Sequence, residues 1–226
     1  MTIYTISRSF TTSVERTPRV MEVAEAFGLG LSDKEFVVYD NLDLEIRPAD
    51  IVYITGQSGS GKSLLLRDLA QKMRESGLVV ADLNEIVLEE KPVVELLGKS
   101  TNDALELLSR AGISDAWIYI RKPSELSDGQ RYRLKLAMVL ASGADVWIAD
   151  EFGAVLDRTT AKVVAYNMAK VARREGKIFM VATTHSDMIE ELSPDVFVEK
   201  LFREKVEVIA DRDDEPISAD ITEVAA

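Results

Sequence analysis

The sequence predicts an α/β fold built on a largely parallel sheet covered on both faces, and three stretches carry that prediction. Ile51 to Thr55 is an apolar, β-branched run that leads straight into a Gly/Ser-rich loop and then into the helical spacing of Leu64 to Met73. Asp145 to Ala149 and Lys177 to Thr183 are two further apolar runs, with helical periodicity over Thr159 to Glu175 between them. Strands that are apolar throughout, rather than alternating, belong to a sheet buried on both sides.

The chain of 226 residues suits one large domain, or one domain with a small lobe. At 46% hydrophobic it can bury a full core, and its 29% charged residues are ordinary for a globular protein. There are no cysteines, which excludes disulfides, thiol catalysis and zinc–thiolate sites. No apolar run reaches the roughly 18 residues of a membrane-spanning helix. Met1 to Phe10 lacks the plan of a signal peptide, so a cytoplasmic location is expected. A net charge of −12 argues against field-driven binding to nucleic acid. Arg8, Arg16 and Arg19 stand among few acids, and that arm reads as solvated, with a local basic patch as the alternative.

In chain order, residues 1–35 read as an N-terminal extension. Ile3, Tyr4 and Ile6 begin a strand, and Val20 to Phe27 is helical and ends at Gly28, a C-cap. Phe36 to Tyr39 and then Leu42, Leu44 and Ile46 alternate like two half-buried strands joined at a turn. Pro48-Ala49-Asp50 is a second turn. Leu78 to Ala81, after Gly77, is a strand, and Asp82 to Leu97 is acidic and interrupted by Pro92. Thr101 to Ala111 is a helix capped by Thr101 or Asn102. Another helix starts near Ser127 and runs to about Ala141. Residues 36–210 form the expected main domain, and 211–226 is an acidic tail expected to be disordered.

Gly56-Gln57-Ser58-Gly59-Ser60-Gly61-Lys62-Ser63 fits G-x-x-x-x-G-K-[ST], with the required strand before it and a helix opening at Leu64. Glycines let the backbone wrap a polyphosphate with its N–H groups inward and the helix N-terminus behind. Residues 56–64 are therefore expected to bind ATP. Lys62 supplies a point charge to the β- and γ-phosphates, and the Ser63 hydroxyl ligates Mg²⁺. The strand Val146-Trp147-Ile148-Ala149 ends in Asp150 and Glu151. Asp150 is expected on the magnesium side, and Glu151 is placed to orient or deprotonate the attacking water.

Leu126-Ser127-Asp128-Gly129-Gln130 resembles the signature motif of ABC-type ATPases, whose usual form is L-S-G-G-Q. Ser127 and the Gly129 N–H lie at a helix N-terminus, a ready anion site. Ser127 and Gln130 also form a capping box, and both readings can hold together. In the family this site binds the γ-phosphate held by the other subunit's P-loop. Val155-Leu156-Asp157 resembles the D-loop, which implies that Asp157 reaches across the subunit interface. His185, the one histidine, ends an apolar strand where the family has its switch histidine, which contacts the γ-phosphate.

The resemblance covers roughly residues 36–205. It implies a P-loop NTPase with a RecA-like core, an antiparallel β lobe and a small helical lobe bearing the signature. It also implies a head-to-tail homodimer holding two MgATP. Within the family, the run from Asp150 to Arg158 and the N-terminal arm resemble a soluble archaeal-type ATPase found alone or fused to an acetyltransferase-like domain.

The sequence departs from the family at several points. Phe152-Gly153 replaces the usual Pro-Thr or Ala-Thr. No Gln stands between Val79 and Glu90, where transporter ATPases carry their Q-loop; Asp82, Asn84 and Glu85 are the candidates. Phe27 or Phe36 is the candidate to stack on adenine. The missing Gln and the short interval from Lys62 to Ser127 favour a soluble ATPase that remodels a protein or nucleic-acid partner. The alternative is the ATP-binding subunit of a membrane transporter.

Overall fold

The computed structural model describes residues 2–201 and 206–210; the expected tail at 211–226 lies outside the described residues. A two-stranded antiparallel ribbon comes first. Strand β1 (Thr2–Thr12) pairs with β2 (Lys34–Ile46), and helix α1 (Pro18–Phe27) lies between them in sequence. Gly28 closes α1 at φ 64°, as the sequence indicates, while its start lies at Pro18 rather than Val20, capped by the Thr17 hydroxyl.

The expected pair of strands over 36–46 is one strand. The polar Asp40-Asn41 makes a bulge, with register shifts opposite Ile6 to Ser9 and Asn41 at φ 47°. Asn41 donates its backbone N–H to the Ser7 hydroxyl at 3.0 Å, which supplies the bond that the ladder loses. The boundary expected at residue 36 falls inside β2, and β1 pairs across it.

Six further strands form the main sheet: β3 (Ile51–Gly56), β4 (Val80–Asp82), β5 (Val146–Ala149), β6 (Ile178–Ala182), β7 (Val196–Lys200) and β8 (Val206–Ala210). Their spatial order is β4-β5-β6-β3-β7-β8, parallel except for β8 at the edge. Alternate residues of each strand serve opposite faces. Val52, Ile54, Val146 and Ile148 pack with the ribbon's Tyr4, Ile6 and Leu44 and with Leu65, Leu69 and Met73 of α2 (Lys62–Glu75). Ile51, Tyr53, Trp147 and Phe179 face the other way. There they meet α3 (Thr101–Arg110), α5 (Asp128–Ala141) and α6 (Arg158–Glu175). Burial on both faces explains why these strands are continuously apolar, since each fully buried aliphatic side chain contributes roughly 1.5–3 kcal/mol.

Short helices α4 (Ala116–Tyr119) and α7 (Ile189–Leu192), and the strands β7 and β8, are not foreseen in the sequence. Helix α3 is capped by Ser100, whose hydroxyl accepts the Asp103 N–H at 3.2 Å, not by Thr101 or Asn102. The residues from 83 to 125 form the small helical region, carried beside the sheet by α3 and α5.

Candidate phosphate-binding cavity at the carboxyl ends of the strands

The loop after β3 owes its shape to glycines. Gly56, Gly59 and Gly61 take φ of 139°, 75° and 104°, a region that side chains rarely enter. At Gly56 a Cβ would lie 2.1 Å from the Lys200 carbonyl oxygen, so any side chain there would push β7 away from β3. At Gly61 a Cβ would meet Val38 at 2.7 Å. The Tyr39 hydroxyl donates to the Gly61 carbonyl at 2.9 Å, so the ribbon holds the loop where it turns into α2. Arg8 of β1 pairs with Asp68 of α2 through both nitrogens of its fork.

Lys62 is 8% exposed and donates Nζ to the carbonyls of Gly56 at 2.7 Å and Gln57 at 2.6 Å. Burial pulls its pKa below the ordinary value, and the carboxylates of Asp150 and Glu151 push it back. The Ser60 hydroxyl is buried with no hydrogen-bond partner in the loop's interior.

The loop opens on a cavity of about 490 Å³. Ser58, Gly59, Gly61, Lys62, Ser63 and Leu64 line one side, and Asp150, Glu151 and Ala154 the other. Ala182, Thr183 and Thr184 at the end of β6 close it; the two threonines are lining groups that the motifs did not point to. Of the expected ATP contacts, Gly56, Gln57 and Ser60 support the loop from behind. The Ser63 hydroxyl and the Asp150 carboxylate line the same space. They are hard oxygen donors of the kind Mg²⁺ takes when it keeps several waters and phosphate oxygens. Among the described residues no cluster of three or more His, Cys, Asp or Glu could hold a metal.

Glu151 sits at φ 52°, with its N–H on the Asp150 carboxylate at 3.0 Å. His185 lies one residue past the cavity lining. Its carbonyl accepts the Tyr53 hydroxyl and, at 3.4 Å, the Thr55 hydroxyl, and its N–H donates to the Thr183 hydroxyl at 3.2 Å. Burial, and then the charge of Arg158, hold its pKa below 6.5.

The signature residues stand elsewhere. Ser127 caps α5, accepting the Gln130 N–H at 3.3 Å, while the Gln130 side chain accepts the Ser127 N–H at 2.9 Å. Ser127, Gly129, Gln130 and Asp157 line no part of the cavity. Asp157 caps α6 through the Thr160 N–H at 3.0 Å. Of the Q-loop candidates, Asp82 is the most buried and its pKa is raised by that burial; Glu85 pairs with Arg74 at the surface. Phe27 and Phe36 are 76% and 55% exposed and line no part of the cavity.

A parallel sheet with a glycine-rich loop between β3 and α2, and two acids at the end of a nearby strand, defines a P-loop nucleoside triphosphatase. Residues 39–154 match the family model described as ABC transporter, so the chain belongs to the ABC transporter family. It is accordingly an ATP hydrolase that takes ATP and Mg²⁺. The lipoprotein-releasing system ATP-binding protein LolD of Granulibacter bethesdensis is 27% identical over 80% of this chain and 93% of its own. The methionine import ATP-binding protein MetN of Streptomyces coelicolor is 27% identical over 70% of this chain; this chain spans 56% of its length. The fold matches a post-hydrolysis dimer of the ATP-binding cassette MJ0796 bound to ADP and Pi, at TM-score 0.64 and 19% identity. That match covers 93% of this chain and 100% of the cassette.

Proposed function

We propose that the chain is the ATP-binding subunit of an ABC transport system and works as a head-to-tail dimer on the cytoplasmic side of a membrane. The observation that carries the dimer is the separation of two phosphate-binding elements. The P-loop cavity holds one side of a triphosphate, and the N-terminus of α5, with Ser127 and Gly129, stands outside it. A second copy would bring its own α5 N-terminus to the open side.

In this reading Lys62 and residues 56–64 hold the phosphates, and Ser63 and Asp150 hold Mg²⁺. The metal supplies Lewis-acid neutralisation of phosphate charge. Glu151 orients the attacking water, His185 moves onto the γ-phosphate when the site closes, and Asp157 reaches the partner. The ATPase domain is 36–210, and β1 of the extension completes its ribbon.

The membrane partner is favoured by the relatives, whose names place them in lipoprotein release and methionine import. This reverses the order of the two readings drawn from the missing Gln. An exposed apolar surface supports it. Trp117 and Ile120 are 69% and 62% exposed, and Trp117 lines a concavity of about 340 Å³ with Arg121 and the signature's Gln130. Among the described residues no helix is long and apolar enough to cross a membrane. The test is purification of the native protein from membranes. A co-purifying transmembrane protein, lost in Trp117→Ser, supports the reading; a protein that never sediments with membranes and brings no such partner overturns it.

A further inference from the structure

We propose that Tyr132 is a positioning residue for hydrolysis, tying the helix that starts at the signature to the turn that carries Glu151. This rests on the reading of Glu151 given above. The Gly153 N–H donates to the Tyr132 hydroxyl at 3.0 Å. Tyr132 lies on α5, within two turns of Ser127, and Gly153 lies two residues past Glu151.

The turn needs such support. Glu151 and Gly153 take φ of 52° and 73°, so two left-handed residues nearly adjoin. A non-glycine residue there costs about 1–3 kcal/mol and keeps its shape only if the surroundings over-determine it. Three contacts do so. Phe152 donates its N–H to the Ala182 carbonyl at 2.9 Å. Its ring is fully buried between Tyr132 and Phe179, with centroids 6.3 and 5.8 Å away. The Tyr132 hydroxyl then takes the next N–H.

The Phe152-Gly153 departure thereby acquires a physical reason. The phenyl ring fills the space beside the Tyr132 ring, and glycine lets the backbone turn its N–H to the phenol. A side chain at 153 would be strained by φ and would press within 3.1 Å of the Ala161 methyl. The signature runs close beside the same loop: a Cβ added at Gly129 would lie 3.3 Å from the Leu156 side chain and 3.5 Å from the Val155 carbonyl. A shift of α5 therefore pulls on the backbone two residues from Glu151. In the dimer, the α5 N-terminus meets one ATP while Glu151 faces the other, so Tyr132 relays the state of one site to the other.

Tyr132→Phe tests this, because it keeps the ring against Phe152 and removes one oxygen. Assayed below its melting temperature, the variant should bind MgATP as the wild type does, while kcat falls about tenfold. In a Glu151→Gln background, Tyr132→Phe should lower the residual single-turnover rate no further, since it acts through Glu151. Wild-type kcat in Tyr132→Phe, or losses that multiply in the double variant, overturns the proposal alone. Full turnover in Glu151→Gln by itself overturns the reading of Glu151, and the proposal with it.

Discussion

Arg158 grips the carboxylate of Asp187 with two nitrogens of its guanidinium, Nε donating to Oδ2 at 2.8 Å. Arg158 follows Asp157 at the start of α6, and Asp187 stands two residues past His185. The pair thus fastens the segment read as reaching the partner to the loop read as sensing the γ-phosphate.

Because His185 is the only histidine, its imidazole gives a single set of resonances to titrate. Its pKa lies below 6.5, first through burial and then through Arg158. Arg158→Ala should raise it toward 6.5 without reaching it, because burial remains. A depressed pKa contributes stability that is present above 6.5 and is lost as pH falls through the folded value, so acid should destabilise the wild type through this group. The side chains of the pair are 39% and 50% exposed, so breaking it should cost at most about 1 kcal/mol. An unmoved NMR titration curve in Arg158→Ala would show that the charge does not act on His185.

Lys62→Ala removes a cation and two hydrogen bonds that brace the loop from inside. ATP affinity and turnover should both fall, with kcat/KM down about a hundredfold or more. Calorimetric titration with ATP and a steady-state assay measure both. Wild-type hydrolysis in this variant would remove the loop from the reaction.

Glu151→Gln should bind MgATP, lose at least about a hundredfold in turnover, and accumulate as a dimer in light scattering. Ser127→Arg should bind ATP at the P-loop yet lose dimerisation and hydrolysis; its lost cap costs only about 1 kcal/mol, too little to unfold the chain. A Ser127→Arg protein that is fully active as a monomer would contradict the composite site.

Gly56→Ala should be destabilised by roughly 2–4 kcal/mol, because φ and the β7 backbone both exclude a Cβ. Urea denaturation measures it. Gly59→Ala is the comparison: its φ of 75° strains alanine less than the 139° of Gly56 does, and no atom lies within 4 Å of its Cβ position. Equal losses at the two positions would mean that the contact with Lys200 carries no weight.

The parts legible in the sequence were those whose physics is local. β3 announced itself because burial on both faces demands an unbroken apolar run, and the loop after it because its backbone demands glycine. Asp150 and Glu151 were legible from the strand before them. Asp40-Asn41 misled because a bulge and a turn use the same residues, and only the partner strand decides between them. β7 was missed since Glu199 and Lys200 look like solvent residues, although Lys200 is fully buried against Tyr39. The contacts of Tyr132 with Gly153 and of Arg158 with Asp187 join elements far apart in sequence or in adjoining turns, and no spacing rule announces them.

The position of β3 also sets when the protein can first hold a nucleotide as it is made. Both its neighbours, β6 and β7, come from residues 178–200, so Ile51 waits for Phe179 and Val52 for Val196. A nascent chain halted before Ile178 would carry the entire P-loop on a strand with neither edge paired. Nucleotide binding then waits until residues 178–200 have been made. Until then the apolar strands stay open, and that is when the chain depends most on protection from its neighbours.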